Sequence, residues 1–351
     1  MIKIKVPARI CFYGDHQDYL GLPVIAGTIN RFINLKAVPN FTDSYKIKLP
    51  NIKKTISISL NEELKDIKNG DYFRSCLNIL IKKGLVFKKG YDIEICGDIP
   101  INAGLSSSSA LVVCWLRFLI TSQENTIKFS DFEIGHLAYE AETNYFKQPG
   151  GLMDQYTIAQ GGLLYIDTKS GKSSSLKLNI GFLIVAESAI VKQTLEVLKN
   201  AKTYARKAIG FVKKQNPDFH INETTLDDYH KYLKYIPNEY RNHWYAAIYN
   251  YDITKKALLE LENEAPNYTV LGNLMNEHQQ ILEEKIKNTP IEMIKMMNSV
   301  KMAGAIGTKI VGSGGGGCMV AMVEENLKDD VISTFKNNGA YKAYEVSLVN
   351  M

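Results

Sequence analysis

Four consecutive serines, Ser106–Ser109, are the first residues in this chain whose type and spacing suggest chemistry. They follow Gly104 and Leu105 and lead directly into an apolar stretch that begins at Ala110. The run is open to three interpretations: a flexible linker, a helix N-cap with surplus hydroxyls, or a phosphate-binding loop. A phosphate-binding loop is plausible because a glycine turn followed by a serine-rich helix start places several hydrogen-bond donors together. Backbone N–H groups, serine hydroxyls and the positive end of the helix all favour an anion at this position. A Walker-type loop is excluded, because the lysine of that motif is absent.

A second candidate is the glycine-rich segment "VGSGGGGCMV", in which Gly312 and Gly314–Gly317 precede an apolar, strand-like run. Glycines permit positive φ and let a backbone approach a ligand closely, although a loose turn would use them equally well. A dinucleotide-binding loop of the Rossmann type is not favoured, because such a loop opens a helix and this one leads into a strand.

Acidic residues in two turn-like segments form the third candidate. Asp15, His16 and Asp18 lie in "YGDHQDYLG", and Asp154 follows "QPGGLM". Any one of them fits a solvated turn, where aspartate is common. A structural role likewise explains His16.

The elements that must position these residues alternate between strand-like and helix-like patterns. Residues 2–6 and 9–13 read as two strands separated by Pro7, and the serine run opens a helix that extends to about residue 121. A second helix is predicted over residues 131–147. After about residue 180 the pattern changes to long helices, including one over 225–262. We therefore predict two domains, residues 1–175 and 176–351, which also suits a length of 351 residues.

Composition narrows the class of protein. The net charge is +5 without any block of like charges, so nucleic-acid binding is not indicated. The five cysteines are widely spaced, which favours neither a disulfide framework nor a zinc site. Apolar runs of about seven residues are too short to span a membrane, and no signal-peptide pattern is visible. We expect a cytoplasmic protein, either a monomer or a homodimer.

In their order along the chain, "PARICFYGDHQDYLG", "PINAGLSSSSAL", "PGGLMDQYTIAQGGLLYID" and "GSGGGGCMV" resemble the motifs of the GHMP kinases. The segments "GDHQDY" and "GGLMDQYTIAQGG" are similar to those of the galactokinase-type sugar kinases within that family. The mevalonate- and homoserine-type branches lack the first of them. The resemblance implies an α+β fold of two domains, with the active site in the cleft between them.

The resemblance also implies how ATP and Mg²⁺ are bound. The residues that match the family's phosphate loop are Gly104, Leu105, Ser106, Ser107 and Ser108. Ser108 and Glu142 match the family's Mg²⁺ ligands. Ser109 occupies a position that is often alanine, and we assign it no role.

The remaining matches concern the substrate that accepts the phosphoryl group from ATP. Asp154 matches the catalytic aspartate, which takes or orients the proton of the acceptor hydroxyl, and Arg9 matches the arginine that accompanies it. The matches to sugar-binding positions are Asp15, His16, Asp18, Gly151 and Tyr204.

The activity implied is transfer of the γ-phosphoryl group of ATP to a monosaccharide, at the anomeric hydroxyl of galactose or a related sugar. Asp15 stands where galactokinases usually have glutamate, and the stretch from His16 onward is also similar to galacturonate kinases. A uronic acid kinase is therefore an alternative. A further alternative is a non-catalytic homologue that senses sugar and ATP.

Overall fold

The larger of two β-sheets occupies the first half of the chain in the computed structural model, which describes residues 1–192 and 194–350. Its strands are β1 (Ile2–Tyr13), β2 (Val24–Pro39), β3 (Ser44–Leu49), β4 (Lys54–Ser59), β5 (Tyr91–Gly97), β6 (Leu163–Ile166) and β7 (Ser173–Leu176). The order is β4-β3-β5-β2-β6-β7, and β1 pairs with the other side of β2. The long β2 is thus the strand around which this sheet is built.

The prediction of two strands separated by Pro7 is wrong, because β1 is continuous through that residue. The register against β2 shifts between Pro7 and Ala8, where the chain forms an irregularity. Proline lacks the N–H that a ladder requires, and it is tolerated on edge strands and at bulges. Among the described residues β1 pairs with β2 alone, so it is an edge strand, and its register is irregular at Pro7.

The second sheet is smaller and wholly antiparallel, with the order β11-β8-β10-β9. Its strands are β8 (Phe182–Glu187), β9 (Gly307–Ile310), β10 (Cys318–Val323) and β11 (Lys342–Val346). The helices are α1 (Tyr72–Lys82), α2 (Ser107–Ser122), α3 (Asp131–Tyr139), α4 (Met153–Gln160), α5 (Thr194–Gln215), α6 (Leu226–Leu233), α7 (Asn238–Leu261), α8 (Tyr268–Ile281), α9 (Ile291–Met302) and α10 (Lys328–Asn337).

Two of the predicted helices are interrupted in the structure, and each interruption has a physical reason. The helix expected over 225–262 is broken into α6 and α7 by Pro237, which precedes the first residue of α7. The helix expected over 131–147 begins as α3 and continues as a π-helical segment, Glu140–Asn144. Proline cannot continue a preceding helix, whereas single π-helical turns within helices are common at functional sites.

Helix α2 positions the serine run. Its side chains from Ala110 through Leu119 are almost all buried, and Trp115 and Phe118 pack against Tyr45 of the larger sheet. A helix that is apolar around most of its circumference lies in a core. Its N-terminus is thereby fixed at the cleft between the two halves of the molecule.

The halves share a continuous core, which includes Ile10, Trp115, Met275 and Val320. The chain also crosses back after β11, because Val349 N donates to Thr28 O of β2. The predicted α+β class is confirmed. Among the described residues, no helix is both long and apolar enough to cross a membrane.

Candidate active site

A cavity of about 540 Å³ lies between the two halves of the molecule, within the range of small-molecule sites. The first half contributes the phosphate loop, the segment before α4 and the residues Asp15, His16 and Asp18, which are called the sugar loop after the family positions that they match. The second half contributes Lys192, Leu198, Gly312 and Ser313. Of the sequence-predicted site residues, those that line it are Arg9, Asp15, His16, Asp18, Gly104, Ser106, Ser107, Ser108, Glu142, Gly151 and Asp154.

The serine run is neither a linker nor a simple helix cap. Ser106 precedes α2 in the left-handed conformation, with φ 58°, and its side chain makes no capping hydrogen bond. Its hydroxyl instead donates to Asp154 Oδ2. Ser107 and Ser108 open the helix at the cavity. Leu105 differs from the rest of the loop, because its side chain is fully buried in the core and only its backbone is available.

The glycine-rich segment packs directly behind the phosphate loop. Gly104 has φ 93°, and a Cβ at this position would lie 2.3 Å from Val311 O. Cys318 N also donates to Ala103 O at 2.7 Å. Only a glycine at position 104 permits this close approach, so the two loops form one wall of the cavity.

Arg9 and Asp154 form an ion pair in the wall of the cavity. Arg9 Nε donates to Asp154 Oδ1 at 2.7 Å, and Arg9 Nη1 donates to Gly104 O at 2.7 Å. Burial disfavours the charged carboxylate of Asp154, but Arg9 outweighs this effect and lowers its pKa below the usual value. Asp154 is therefore ionised at neutral pH, beside the phosphate loop.

Lys192 is a cavity residue that the sequence analysis missed. A Cβ on Gly104 would lie 3.0 Å from Lys192 Nζ, and one on Gly312 would lie 3.2 Å from it. Burial, followed by the charge of Arg9, lowers the pKa of Lys192 to about 8. No local sequence signal marks it: β8 and β10 pair at Glu187 and Cys318, and this pairing places the residues after β8 beside the glycine-rich segment.

Asp15 is held by a buried lysine from the other half of the chain. Lys309 Nζ donates to Asp15 Oδ2 at 2.6 Å, and both side chains are almost completely buried. Burial alone would raise the pKa of Asp15, but Lys309 outweighs it and lowers the pKa. The second carboxylate oxygen, Oδ1, is buried and has no partner among the described residues.

His16 connects the sugar loop to the second half of the molecule. Its Nδ1 lies 3.0 Å from the Tyr19 hydroxyl, and its Nε2 lies 3.0 Å from both Ser313 O and Asn288 Nδ2. Both ring nitrogens thus have protein partners. His16 lines the cavity but is not a free hydrogen-bonding group within it.

The Asp18 carboxylate lies directly over the backbone of Gly151, and this contact leaves no room for a side chain at position 151. A Cβ at position 151 would lie 2.0 Å from Asp18 Oδ2, so only glycine fits beneath the carboxylate. Burial, reinforced by the charge of Asp154, raises the pKa of Asp18 to about 6. Tyr204 is not brought to the cavity: it is 37% exposed and stacks on His243.

Glu142 occupies the π-helical segment after α3, close to the start of α2. Gln155 Nε2 donates to Glu142 Oε2 at 2.7 Å, and burial raises the pKa of Glu142 despite hydrogen bonds from Ser108 and Ser109. Among the described residues, no three His, Cys, Asp or Glu side chains form a metal cluster. One carboxylate and one hydroxyl suit an ion such as Mg²⁺, which is commonly bound jointly by protein carboxylates and nucleotide phosphates.

Comparisons with known proteins agree with this arrangement. The sequence matches the family models described as GHMP kinases N terminal domain, over residues 71–162, and GHMP kinases C terminal, over residues 255–340. A galactokinase of Clostridium acetobutylicum is 28% identical over 94% of this chain and 87% of that protein. A galactokinase of Thermococcus kodakarensis is 25% identical, over 92% and 89% respectively.

Solved structures show the same fold. Lactococcus lactis galactokinase complexed with galactose superposes with a TM-score of 0.87 at 21% identity, covering 99% of this chain and 94% of that one. Methanococcus jannaschii mevalonate kinase gives a TM-score of 0.74 at 21% identity, with 99% and 98% covered. With both family models matched and the cleft built from their motifs, this chain belongs to the GHMP kinase family.

Proposed function

We propose that this protein is an ATP-dependent sugar kinase that phosphorylates the anomeric hydroxyl of galactose or a related neutral monosaccharide. The observation that carries the proposal is the Arg9–Asp154 ion pair, joined to the phosphate loop through Ser106 and Gly104. The curated relatives named galactokinase, which align over most of the chain, support the sugar kinase class.

In the proposed reaction, Asp154 accepts the proton of the acceptor hydroxyl as the hydroxyl oxygen attacks the γ-phosphorus. The new P–O bond forms while the bond to the ADP oxygen breaks, and ADP leaves with the electron pair of that bond. The lowered pKa of Asp154 keeps it ready to accept a proton at neutral pH. Phosphoryl transfer depends mainly on positioning and charge stabilisation, which a fixed carboxylate provides.

The nucleotide phosphates would lie against Gly104, Ser107 and Ser108 at the start of α2, where the helix end favours negative charge. Arg9 and Lys192 would face them from opposite halves of the molecule. Ser108 and Glu142 would hold Mg²⁺, which neutralises phosphate charge when it is bound.

The acceptor would lie against Asp15, Asp18 and the backbone of Gly151. Asp15 Oδ1 and the Asp18 carboxylate accept hydrogen bonds from hydroxyl groups but repel a carboxylate. The nearby cation Lys309 is already paired with Asp15. This distribution of charge favours a neutral sugar over a uronic acid.

The proposal is tested by measuring ADP release with galactose, galacturonate, glucuronate, N-acetylgalactosamine, arabinose and fucose. We expect turnover with a neutral sugar, and its loss in Asp154→Asn, where removing a general base lowers the rate by about 10²- to 10⁴-fold. ATP affinity should stay near the wild-type value in that variant. Asp66→Asn, at an exposed position, is the matched control.

Wild-type protein that binds ATP but releases no ADP with any of these sugars would refute the proposed function. Turnover retained in Asp154→Asn would refute the role of Asp154. Preferred turnover of galacturonate or glucuronate would identify the uronic acid alternative instead.

A further inference from the structure

Two buried side-chain oxygens, one from each half of the molecule, remain unpaired among the described residues. They are Asp15 Oδ1 and Ser313 Oγ, and neither has a hydrogen-bond partner among the described residues. Both residues line the same cavity. Leaving such a group unsatisfied costs about 1–3 kcal/mol, so a ligand that pairs with it gains affinity.

The backbone of Ser313 is fixed against the sugar loop. Its carbonyl oxygen lies 3.0 Å from His16 Nε2 and accepts from Asn288 Nδ2 at 3.1 Å. The next residue, Gly314, has φ 79°, and a Cβ there would lie 2.5 Å from Asn288 O. The backbone of the serine is thus held in place, and its hydroxyl is buried without a partner among the described residues.

The charges around this hydroxyl indicate what it would bind. His16 follows Asp15 in the chain and contacts the Ser313 backbone, so Ser313 lies beside the loop that carries Asp15 and Asp18. Asp15 Oδ1 only accepts hydrogen bonds, and Asp18 adds a second carboxylate to the same loop. The two carboxylates of this loop favour sugar hydroxyls, which can donate to Asp15 and accept from Ser313.

We infer that Ser313 is a specificity-determining residue that binds a hydroxyl group of the acceptor from the glycine-rich segment. The inference rests on the proposed function and extends it, since it gives the second half of the chain a direct part in acceptor recognition. It also gives His16 a positioning role, in which the imidazole holds the Ser313 backbone rather than the sugar.

The test is Ser313→Ala, examined by calorimetric titration and by steady-state kinetics with the best acceptor of the panel above. Loss of one neutral hydrogen bond of about 1 kcal/mol should raise the acceptor Kd and KM about 5-fold. The kcat, the ATP Kd and the Tm should stay close to the wild-type values. Ser175→Ala, on the exposed side of β7, is the matched control.

Monodeoxy versions of the acceptor complete the test. The analogue that lacks the recognised hydroxyl should bind wild-type protein and Ser313→Ala with equal affinity, while the others retain the 5-fold difference. Unchanged acceptor affinity in Ser313→Ala would overturn the inference. So would a loss of ATP affinity alone, because the hydroxyl would then contact a phosphate. A sugar that binds wild-type protein without ADP release would refute the proposed function, and its Kd values would still report on Ser313.

Discussion

Lys192 offers the sharpest prediction, because its charge is expected to change within an accessible pH range. Burial and the neighbouring Arg9 lower its pKa to about 8, although Asp154 partly opposes them. The kcat/KM for ATP reports ionisations of the free enzyme. If protonated Lys192 binds a phosphate oxygen, this parameter should fall as the pH rises through about 8.

The size of the expected pH effect on kcat/KM follows from the pKa of Lys192. A group with a pKa of about 8 is roughly nine-tenths protonated at pH 7 and about one-tenth protonated at pH 9. The kcat/KM for ATP should therefore fall about 10-fold between these values. Hydrogen bonds to charged groups contribute about 1.5–3 kcal/mol, so Lys192→Met should lower kcat/KM for ATP by about 10- to 100-fold at pH 7.

The assay compares initial rates at varied ATP and saturating acceptor from pH 6.5 to 9.5. In Lys192→Arg the alkaline decrease should disappear, because arginine stays charged throughout this range. The exposed Lys199→Met is the matched control and should keep the wild-type profile. An alkaline limb that persists unchanged in Lys192→Arg would refute the assignment of this limb to Lys192.

The remaining predictions concern three carboxylates around the cleft. Since Asp18 has a pKa of about 6, kcat/KM for the acceptor should rise as the pH increases through about 6. In Asp18→Asn this pH dependence should disappear, and an unchanged rise would show that another group causes it. A folded pKa above the ordinary 3.8 also means that stability falls as the pH rises from about 4 to 6, so Asp18→Asn should have the higher Tm at pH 7. Lys309→Met leaves the Asp15 carboxylate buried without its cation. The free energy of unfolding, measured by urea titration, should fall by about 3–5 kcal/mol, and adding Asp15→Asn to the same chain should largely restore it. Glu142→Gln should raise the half-saturating Mg²⁺ concentration about 10-fold and leave metal-free ATP affinity unchanged; equal Mg²⁺ dependence would contradict its assignment as a ligand.

Much of the fold and part of the site could be predicted from the sequence because the signals are local. The serine run starts a helix, as predicted, since its residues and those that follow favour a helix start and a buried helix body. The predictions that differ from the structure also relied on local patterns. Pro7 was interpreted as a strand break, whereas an edge strand with an irregular register accommodates it. Tyr204 was selected by resemblance to a motif, but its helix directs it towards His243.

By itself, the sequence determined the family, the order of the motifs and the residue types available for chemistry, because these follow from neighbouring residues along the chain. Only the tertiary structure decided which charges meet. Asp15 and Lys309 are 294 positions apart and His16 and Ser313 are 297 apart, yet each pair is in hydrogen-bonding contact. Lys192 enters the cavity only because β8 pairs with β10. The pairing of strands that are distant in sequence and the packing of one half on the other set these distances, and neither follows from residues that are neighbours in the chain.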